Sequence, residues 1–233
     1  YDIVADVGSK EKKIKVFKGE DLPKGWLGKN WACSQLCQKA VGDILIFIDA
    51  DVTLKPNGIN YALCLFRKYN LNMLSVFPSQ KINSLGAKLI VPLMNWLLLT
   101  FLPLKKVFTS NKKVFTAANG QFIIIDRNTY NLVGNHEKFK DQIVEDMEIA
   151  RSVKSIKKRL MTCVGNDVIS TNMYSSFREA FYGFSKNFYK GFNTSKLNFL
   201  VIISLLLILF LFPLIFAIGN SFHFLIVFII VIQ

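Results

Sequence analysis

Cysteine is scarce, with four in 233 residues, too few for a disulfide-held scaffold. Acids are also few, 16 Asp and Glu against 29 Lys and Arg, which leaves a formal net charge of +13. Charge of either sign is missing from one whole region: Lys196 is the last charged residue, and the 37 that follow hold no Asp, Glu, Lys or Arg. Apolar residues make up 52% of the chain, which excludes a disordered polypeptide unable to bury a core. A basic front is therefore joined to an uncharged, apolar tail.

Leu197 to Ile218 reads LNFLVIISLLLILFLFPLIFAI, 22 residues. As a helix it would extend about 33 Å, enough to cross a hydrocarbon core. A transmembrane span is expected, the bland alternative being a buried helix of a large soluble protein. Gly219-Asn220-Ser221 then marks a turn, and Phe222 to Ile232 begins a second apolar segment that stops short of a span. Lys186, Lys190 and Lys196 precede the first span, which predicts a multi-pass cell-membrane protein with the preceding domain in the cytoplasm. Reduced cysteines fit that compartment. Cys33 and Cys37 lie one helical turn apart, a metal-pair spacing, but with no matching Cys/His pair they read better as small buried hydrophobes. Leu89 to Leu102 is a shorter uncharged stretch, and residues 81 to 113 hold six lysines and no acid. An interfacial helix facing anionic lipid is expected there, a core helix being the alternative. The opening at Tyr1, within strand-like YDIVADV, and the end at Gln233 inside an apolar run read as a chain lacking some sequence at both ends.

The front predicts alternating strands and helices. Ile3-Val4-Ala5, Ile14 to Phe17, Ile44 to Ile48, Leu74 to Phe77 and Gln121 to Ile125 read as strands. Trp31 to Val41 with Gly42 as its C-cap, Pro56 to Tyr69, Thr129 to Val133 and Glu145 to Lys158 read as helices. Continuous apolar runs such as ILIFI are the mark of strands buried on both faces, so an α/β fold with a mostly parallel sheet is expected. Ligands of such sheets bind at the carboxyl ends of strands.

Asp49-Ala50-Asp51 follows ILIFI directly. On an extended chain residues i and i+2 point the same way, and two carboxylates so close favour a cation between them. Mg²⁺ or Mn²⁺, shared with substrate phosphates, would suit; an ordinary acidic turn is the alternative. Asp6 closes the first expected strand on the same edge. Gly25-Trp26-Leu27-Gly28-Lys29 precedes a helix, which makes either an anion site or a plain loop. Ala117-Ala118-Asn119-Gly120 stands before QFIII, where small residues permit close ligand approach. Glu145-Asp146 opens a helix, as acids commonly do, and one of them could serve as a general base. His136 is either a neighbour of the metal or acceptor, or a loop histidine.

Taken in order, DVGS, GKNWACSQ, LIFIDADVTL, MLSVFPSQ, ANGQFIIIDRNTY, GNHEKFKDQIVEDMEIARSVK and MYSSFREAFYGFSKN resemble glycosyltransferase family 2 with a GT-A fold. More narrowly, they resemble its membrane-bound branch, which holds the 4,4'-diaponeurosporenoate and hopene-associated glycosyltransferases. The resemblance covers most of residues 1 to 196 and implies an N-terminally incomplete GT-A (Rossmann-like) domain followed by interfacial and transmembrane helices. It implies an inverting transferase moving one sugar from a nucleotide sugar, UDP-sugar favoured, to a lipid acceptor of isoprenoid, carotenoid or hopanoid type. Asp6 would meet the base or ribose, and Asp49 the ribose and sugar. Asp51, with Asp49, would hold the divalent metal. Lys29, Asn119 and Gly120 would line the donor and acceptor. Asp146 would be the base, supported by Glu145. The family's Gln-x-x-Arg-Trp signature is absent, and Arg178 stands in its place, which favours single-sugar transfer over polymer synthesis. Val7 also replaces a second acid usual in the first motif.

The expected organisation is a cytosolic catalytic domain over 1–168, amphipathic interface helices over 169–196 and a membrane region over 197–233. A different class remains in view: a membrane-tethered basic module that binds nucleic acid or anionic lipid without catalysis. No RNP-like or zinc motif appears, so nucleic acid is not the expected partner. A nucleotidyltransferase would also use a metal-holding DxD, and would release pyrophosphate in place of a nucleoside diphosphate.

Overall fold

The structure is a computed structural model that describes residues 2–11, 13–81, 88, 91–92, 96, 104–166, 168–172, 176–192 and 195–219. Contacts divide the chain into two compact units, Tyr1–Phe184 and Ser185–Gln233. In chain order the first unit holds α1 (Asp2–Lys10), α2 (Gly28–Lys39), β1 (Ile44–Ile48), β2 (Val52–Leu54), α3 (Gly58–Lys68), β3 (Met73–Phe77) and β4 (Ser79–Lys81). These are followed by α4 (Leu104–Thr109), β5 (Phe122–Asp126), α5 (Arg127–Leu132), α6 (Asn135–Lys138), α7 (Glu145–Ser155), β6 (Leu160–Val164) and β7 (Ile169–Asn172). Two further helices are α8 (Phe177–Phe192), which runs past the boundary between the units, and α9 (Lys196–Gly219).

The main sheet has the order β1-β5-β3-β6, and a smaller one the order β2-β7-β4. β5 runs antiparallel to both β1 and β3, while β3 and β6 are parallel. The sheet is therefore mixed, which corrects the expectation of a mostly parallel one. The physical reason lies in the signal itself. A continuous apolar run reports burial on both faces, and helices covering both faces produce that burial whatever the strand direction. Along β5, Ile123 and Ile125 pack with Leu45, Met73 and the residues Ile149 and Val153 of α7. Phe122 and Ile124 turn to the opposite face, against Ala62 and Phe66 of α3, as the two-residue period of a strand requires. Ile124 is fully buried. Ile124→Ala is expected to destabilise the fold by about 2–5 kcal/mol, read as a lower denaturation midpoint with an unchanged slope.

Two expected strands are not strands. Ile3-Val4-Ala5 lies in helix α1, and Ile14 to Phe17 has no regular structure. A strand needs a neighbour to take up its backbone hydrogen bonds, whereas a helix satisfies them internally. Lys10 closes α1 by pairing with Asp6 one turn back, at 2.7 Å. The helix expected from Trp31 starts earlier, at Gly28, and ends at Lys39. Gly42 is not its cap. Instead, the guanidinium of Arg127 donates to the carbonyls of Ala40 and Gly42, at 2.9 and 2.7 Å.

Most of Leu89 to Leu102 lies outside the described residues; within it, Val91 is buried and Trp96 is exposed. The second apolar segment, Phe222 to Ile232, lies outside them entirely. The backbone is helical over the 24 residues of α9, but the side chains of 210 and 213–219 are not among those described. Among the described residues no helix is long and apolar enough to cross a membrane, so the expected span over 197–218 is not established.

Candidate functional site

β1 and β5 meet head to tail, and the backbone N–H of Asp49 donates to the Gln121 carbonyl at 3.0 Å. The residue after β1 and the residues before β5 are thereby fixed side by side. α2 supplies the cation. Lys29 sits in its first turn, and the next residue, Asn30, is buried and donates to the carbonyls of Phe139, Lys140 and Gln142 at 2.8–3.2 Å. That anchor pins the start of α2 to the loop before α7. The Lys29 ammonium lies 3.1 Å from Asp49 Oδ1 and 3.1 Å from Glu145 Oε1. It also lies 3.5 Å from the Gly120 carbonyl oxygen.

Asp146 completes the cluster from the first turn of α7. Its Oδ2 accepts from Gly120 N–H, and its Oδ1 from Met147 N–H, both at 2.7 Å. Close approach at Gly120 explains the small residue: a Cβ there would stand 2.8 Å from Lys29 Nζ and 3.3 Å from Asp146 Oδ2 and Glu145 Oε1. Two carboxylates thus pair with one ammonium, and a third, Asp146, stands close enough to feel its charge. Burial works against the Lys29 charge, but Glu145 and Asp49 outweigh it and raise the pKa of Lys29. Burial and then the Glu145 charge push the Asp146 carboxyl up to about 6, against the opposing pull of Met147 N–H and Lys29. A carboxyl so tuned is suited to proton transfer near neutrality.

The expected pairing of Asp49 with Asp51 on a single cation is not what the turn produces. Val52 N–H closes a tight turn onto the Asp49 carbonyl at 3.1 Å, so the two residues are not on extended chain and take different partners. Asp49 faces Lys29. Asp51 faces β7, where Thr171 Oγ1 donates to Oδ2 at 3.1 Å, and Gln121 Nε2 reaches the same oxygen at 3.4 Å. Asp51 is exposed, and its Oδ1 has no hydrogen-bond partner among the described residues. No group of three or more His, Cys, Asp or Glu that could hold a metal is present among the described residues. One open carboxylate oxygen still fits a hard cation whose other ligands are phosphate oxygens and water. Asp49, already facing an ammonium, does not fit that role.

The remaining expected residues are placed elsewhere or differently. Asn119 folds onto Gln121: its Oδ1 accepts from Gln121 N–H at 2.8 Å and its amide donates to Gln121 Oε1 at 3.3 Å. It belongs with Asp51, not with Lys29. Asp6 is exposed on α1 and pairs with Lys10, so it is not brought to the site. Arg178 is exposed on α8, with its guanidinium over the Tyr182 ring. His136 is buried, with Nδ1 2.5 Å from the Tyr130 hydroxyl, which also accepts from His136 N–H at 3.1 Å. Burial, aided by Lys29, lowers its pKa to about 4, so at neutral pH it is an uncharged core residue. Partial burial likewise pushes Cys33 up to about 11 and raises Cys37, as apolar surroundings do to a thiol. A cavity of about 350 Å³ joins this region to the charged cluster, lined by Cys33, Cys37, Tyr130 and His136 together with Lys29 and Asp146.

Four residues of the site were not singled out from sequence. Gln121, Asn30 and Ser75 were visible only as members of the motifs ANGQFIIIDRNTY, GKNWACSQ and MLSVFPSQ, and Thr171 gave no local signal.

No family model matches the chain. Over 184 residues it is 24% identical to the 4,4'-diaponeurosporenoate glycosyltransferase of Staphylococcus haemolyticus (strain JCSC1435). That alignment covers 77% of this chain and 48% of the relative, so the chain spans about half the length of the curated relative it matches. The relative is a glycosyltransferase of the branch that the ordered motifs resemble. Among solved structures, glucosyl-3-phosphoglycerate synthase from Mycobacterium tuberculosis, in complex with phosphoglyceric acid, superposes with a TM-score of 0.35 at 11% identity, covering 72% of this chain and 52% of that one.

Proposed function

We propose that this chain carries the active site of a membrane-bound, inverting glycosyltransferase that moves a single sugar from a nucleotide sugar to a lipid acceptor. The observation that carries the reading is the meeting of Lys29, Asp49, Gly120, Glu145 and Asp146 at the end of β1, the head of β5 and the start of α7. An ammonium and an exposed carboxylate, Asp51, stand where an anionic donor would need charge. A carboxyl of raised pKa stands beside them where an acceptor would need a base. In the step proposed, an acceptor oxygen attacks the anomeric carbon and the bond from that carbon to the β-phosphate oxygen breaks. The nucleoside diphosphate leaves, and the acceptor proton passes to Asp146. Lys29 balances the charge of the diphosphate, Glu145 holds Lys29, and Asp49 meets the sugar or ribose. A divalent metal at Asp51, Mg²⁺ or Mn²⁺, would stabilise the leaving diphosphate.

A UDP-sugar is the favoured donor. The similarity to a diaponeurosporenoate glycosyltransferase supports an isoprenoid, carotenoid or hopanoid-like acceptor. Membrane attachment with the site in the cytoplasm rests on the uncharged run after Lys196 and the lysines before it. Exposed Phe177, Phe181 and Tyr182 beside Arg178 are side chains suited to a headgroup region. The tethered nucleic-acid module is not favoured, because Asp49, Glu145 and Asp146 gathered at a single ammonium repel a polyanion that brings no metal.

Calorimetric titration of the full-length protein in detergent with UDP, GDP and a control nucleotide, with and without Mn²⁺, tests the reading. Metal-dependent binding of one nucleoside diphosphate, abolished in Asp51→Asn, is expected. A folded protein that binds none of them would sink it.

A further inference from the structure

We propose that Thr171 and Gln121 are positioning residues that fix the Asp51 carboxylate, committing Oδ2 to the protein and leaving Oδ1 as the single atom offered to a metal-bound diphosphate. The inference rests on the donor site proposed above and deepens it.

Asp51 is an exposed residue on a turn. In water such a carboxylate needs no protein donors, and restraining it costs rotamer freedom with little return in stability. Yet it is held twice. Thr171, 1% exposed, lies opposite Val52 in the β2–β7 ladder, which brings its hydroxyl to Asp51. Oγ1 lies 3.1 Å from Asp51 Oδ2 and 3.3 Å from the Asp51 carbonyl oxygen. Gln121 Nε2 lies 3.4 Å from Oδ2 and 3.3 Å from Thr171 Oγ1.

Gln121 is itself immobilised. Asn119 takes both its backbone N–H and its Oε1, and Ser75 Oγ accepts from Asn119 N–H at 2.7 Å while donating to its carbonyl at 3.1 Å. One unbroken polar chain, Ser75–Asn119–Gln121–Asp51–Thr171, therefore ties β3 and the head of β5 in the main sheet to β7 in the small one. A connected network of this kind is stiff. Its only exposed carboxylate is Asp51, so that stiffness is delivered to a surface atom. Groups that orient a metal-ligating side chain commonly change metal affinity about 10–100-fold when lost.

The experiment measures Mn²⁺ uptake by the full-length protein in the presence of UDP, from the electron-spin signal of free Mn²⁺, alongside melting of the unliganded protein. Thr171→Val is expected to weaken Mn²⁺ uptake about 10–100-fold. Excess Mn²⁺ should restore its kcat, and the apparent KM for the metal should carry the defect. Thr171→Ser, which keeps the hydroxyl, should bind as wild type does, and Gln121→Leu should fall between the two. Wild-type affinity in Thr171→Val would overturn this inference alone. So would equal loss in Thr171→Ser and Thr171→Val with a lowered melting point, which marks a purely structural role. No Mn²⁺ uptake by the wild type with UDP would overturn the donor-site reading, and this inference with it.

Discussion

Asp146→Asn is expected to lower the rate of sugar transfer about 10²–10⁴-fold, the usual contribution of a general base, while nucleoside diphosphate binding stays near the wild-type value. The substitution removes the group proposed to take the acceptor proton but keeps its shape. Because burial and Glu145 raise the Asp146 carboxyl to about 6, wild-type transfer should climb as pH rises through about 6 and level off above it. The same carboxyl makes a stability prediction of opposite sign. It holds its proton in the folded chain up to about 6, whereas an unperturbed Asp loses it near about 4. Its favourable contribution to folding is complete below about 4 and is lost as pH rises through about 6. Wild type should therefore lose stability across that window, and Asp146→Asn should show a flatter profile. Rate against pH and melting against pH, measured on the same two proteins, check both halves. Full activity in Asp146→Asn would move the base elsewhere.

Lys29→Met is expected to cost about 10²–10³-fold in kcat/KM, the scale of losing one preorganised charge partner of a transition-state anion. The ammonium has three acidic neighbours, two of them within 3.1 Å. Without it Asp49, Glu145 and Asp146 repel one another and any incoming diphosphate. Breaking a buried pair costs about 3–5 kcal/mol. Lys29 is 42% exposed and solvent screens it, so a loss of about 1–3 kcal/mol is expected, smaller at pH 5 than at pH 7 as repulsion eases. Lys29→Arg restores charge but not the point geometry, and should recover stability more fully than rate. Steady-state kinetics at saturating metal and thermal melting of both variants separate these effects. Wild-type kcat/KM in Lys29→Met would exclude the ammonium from the donor site.

The individual elements were legible where the local signal was strong. Ile44 to Ile48 is the predicted strand to the residue, and the helices near Pro56 to Tyr69 and Glu145 to Lys158 are present with shifted ends. Strand direction was not legible, because ILIFI and FIIID are apolar from double-sided burial and carry no trace of which way a neighbour runs. The strand β6 and the shorter strands β2, β4 and β7 were missed. Sequences such as VTL, SQK and ISTN become strands only through partners distant in the chain. Lys29, Asp49, Gly120, Glu145 and Asp146, named separately from sequence, converge in one cluster, whereas Asp51 takes other partners. Asp6 does not join them, because α1 turns that side chain to Lys10. Thr171 could not have been found, since nothing near it in sequence announces a contact with a residue 120 positions earlier.

The central strand has a last consequence. β5 is flanked by β1 and β3 and buried on both faces, and the turn residues directly before it, Gly120 and Gln121, are also the floor of the site. Its amide protons should exchange with solvent only when the whole unit opens, so the floor can yield no sooner than the fold. Whatever motion admits and releases ligands must come from the groups above it, such as the half-exposed Lys29 and the turn at Asp49 to Asp51. A destabilising core substitution should then reduce the number of competent molecules without blunting the chemistry of each one.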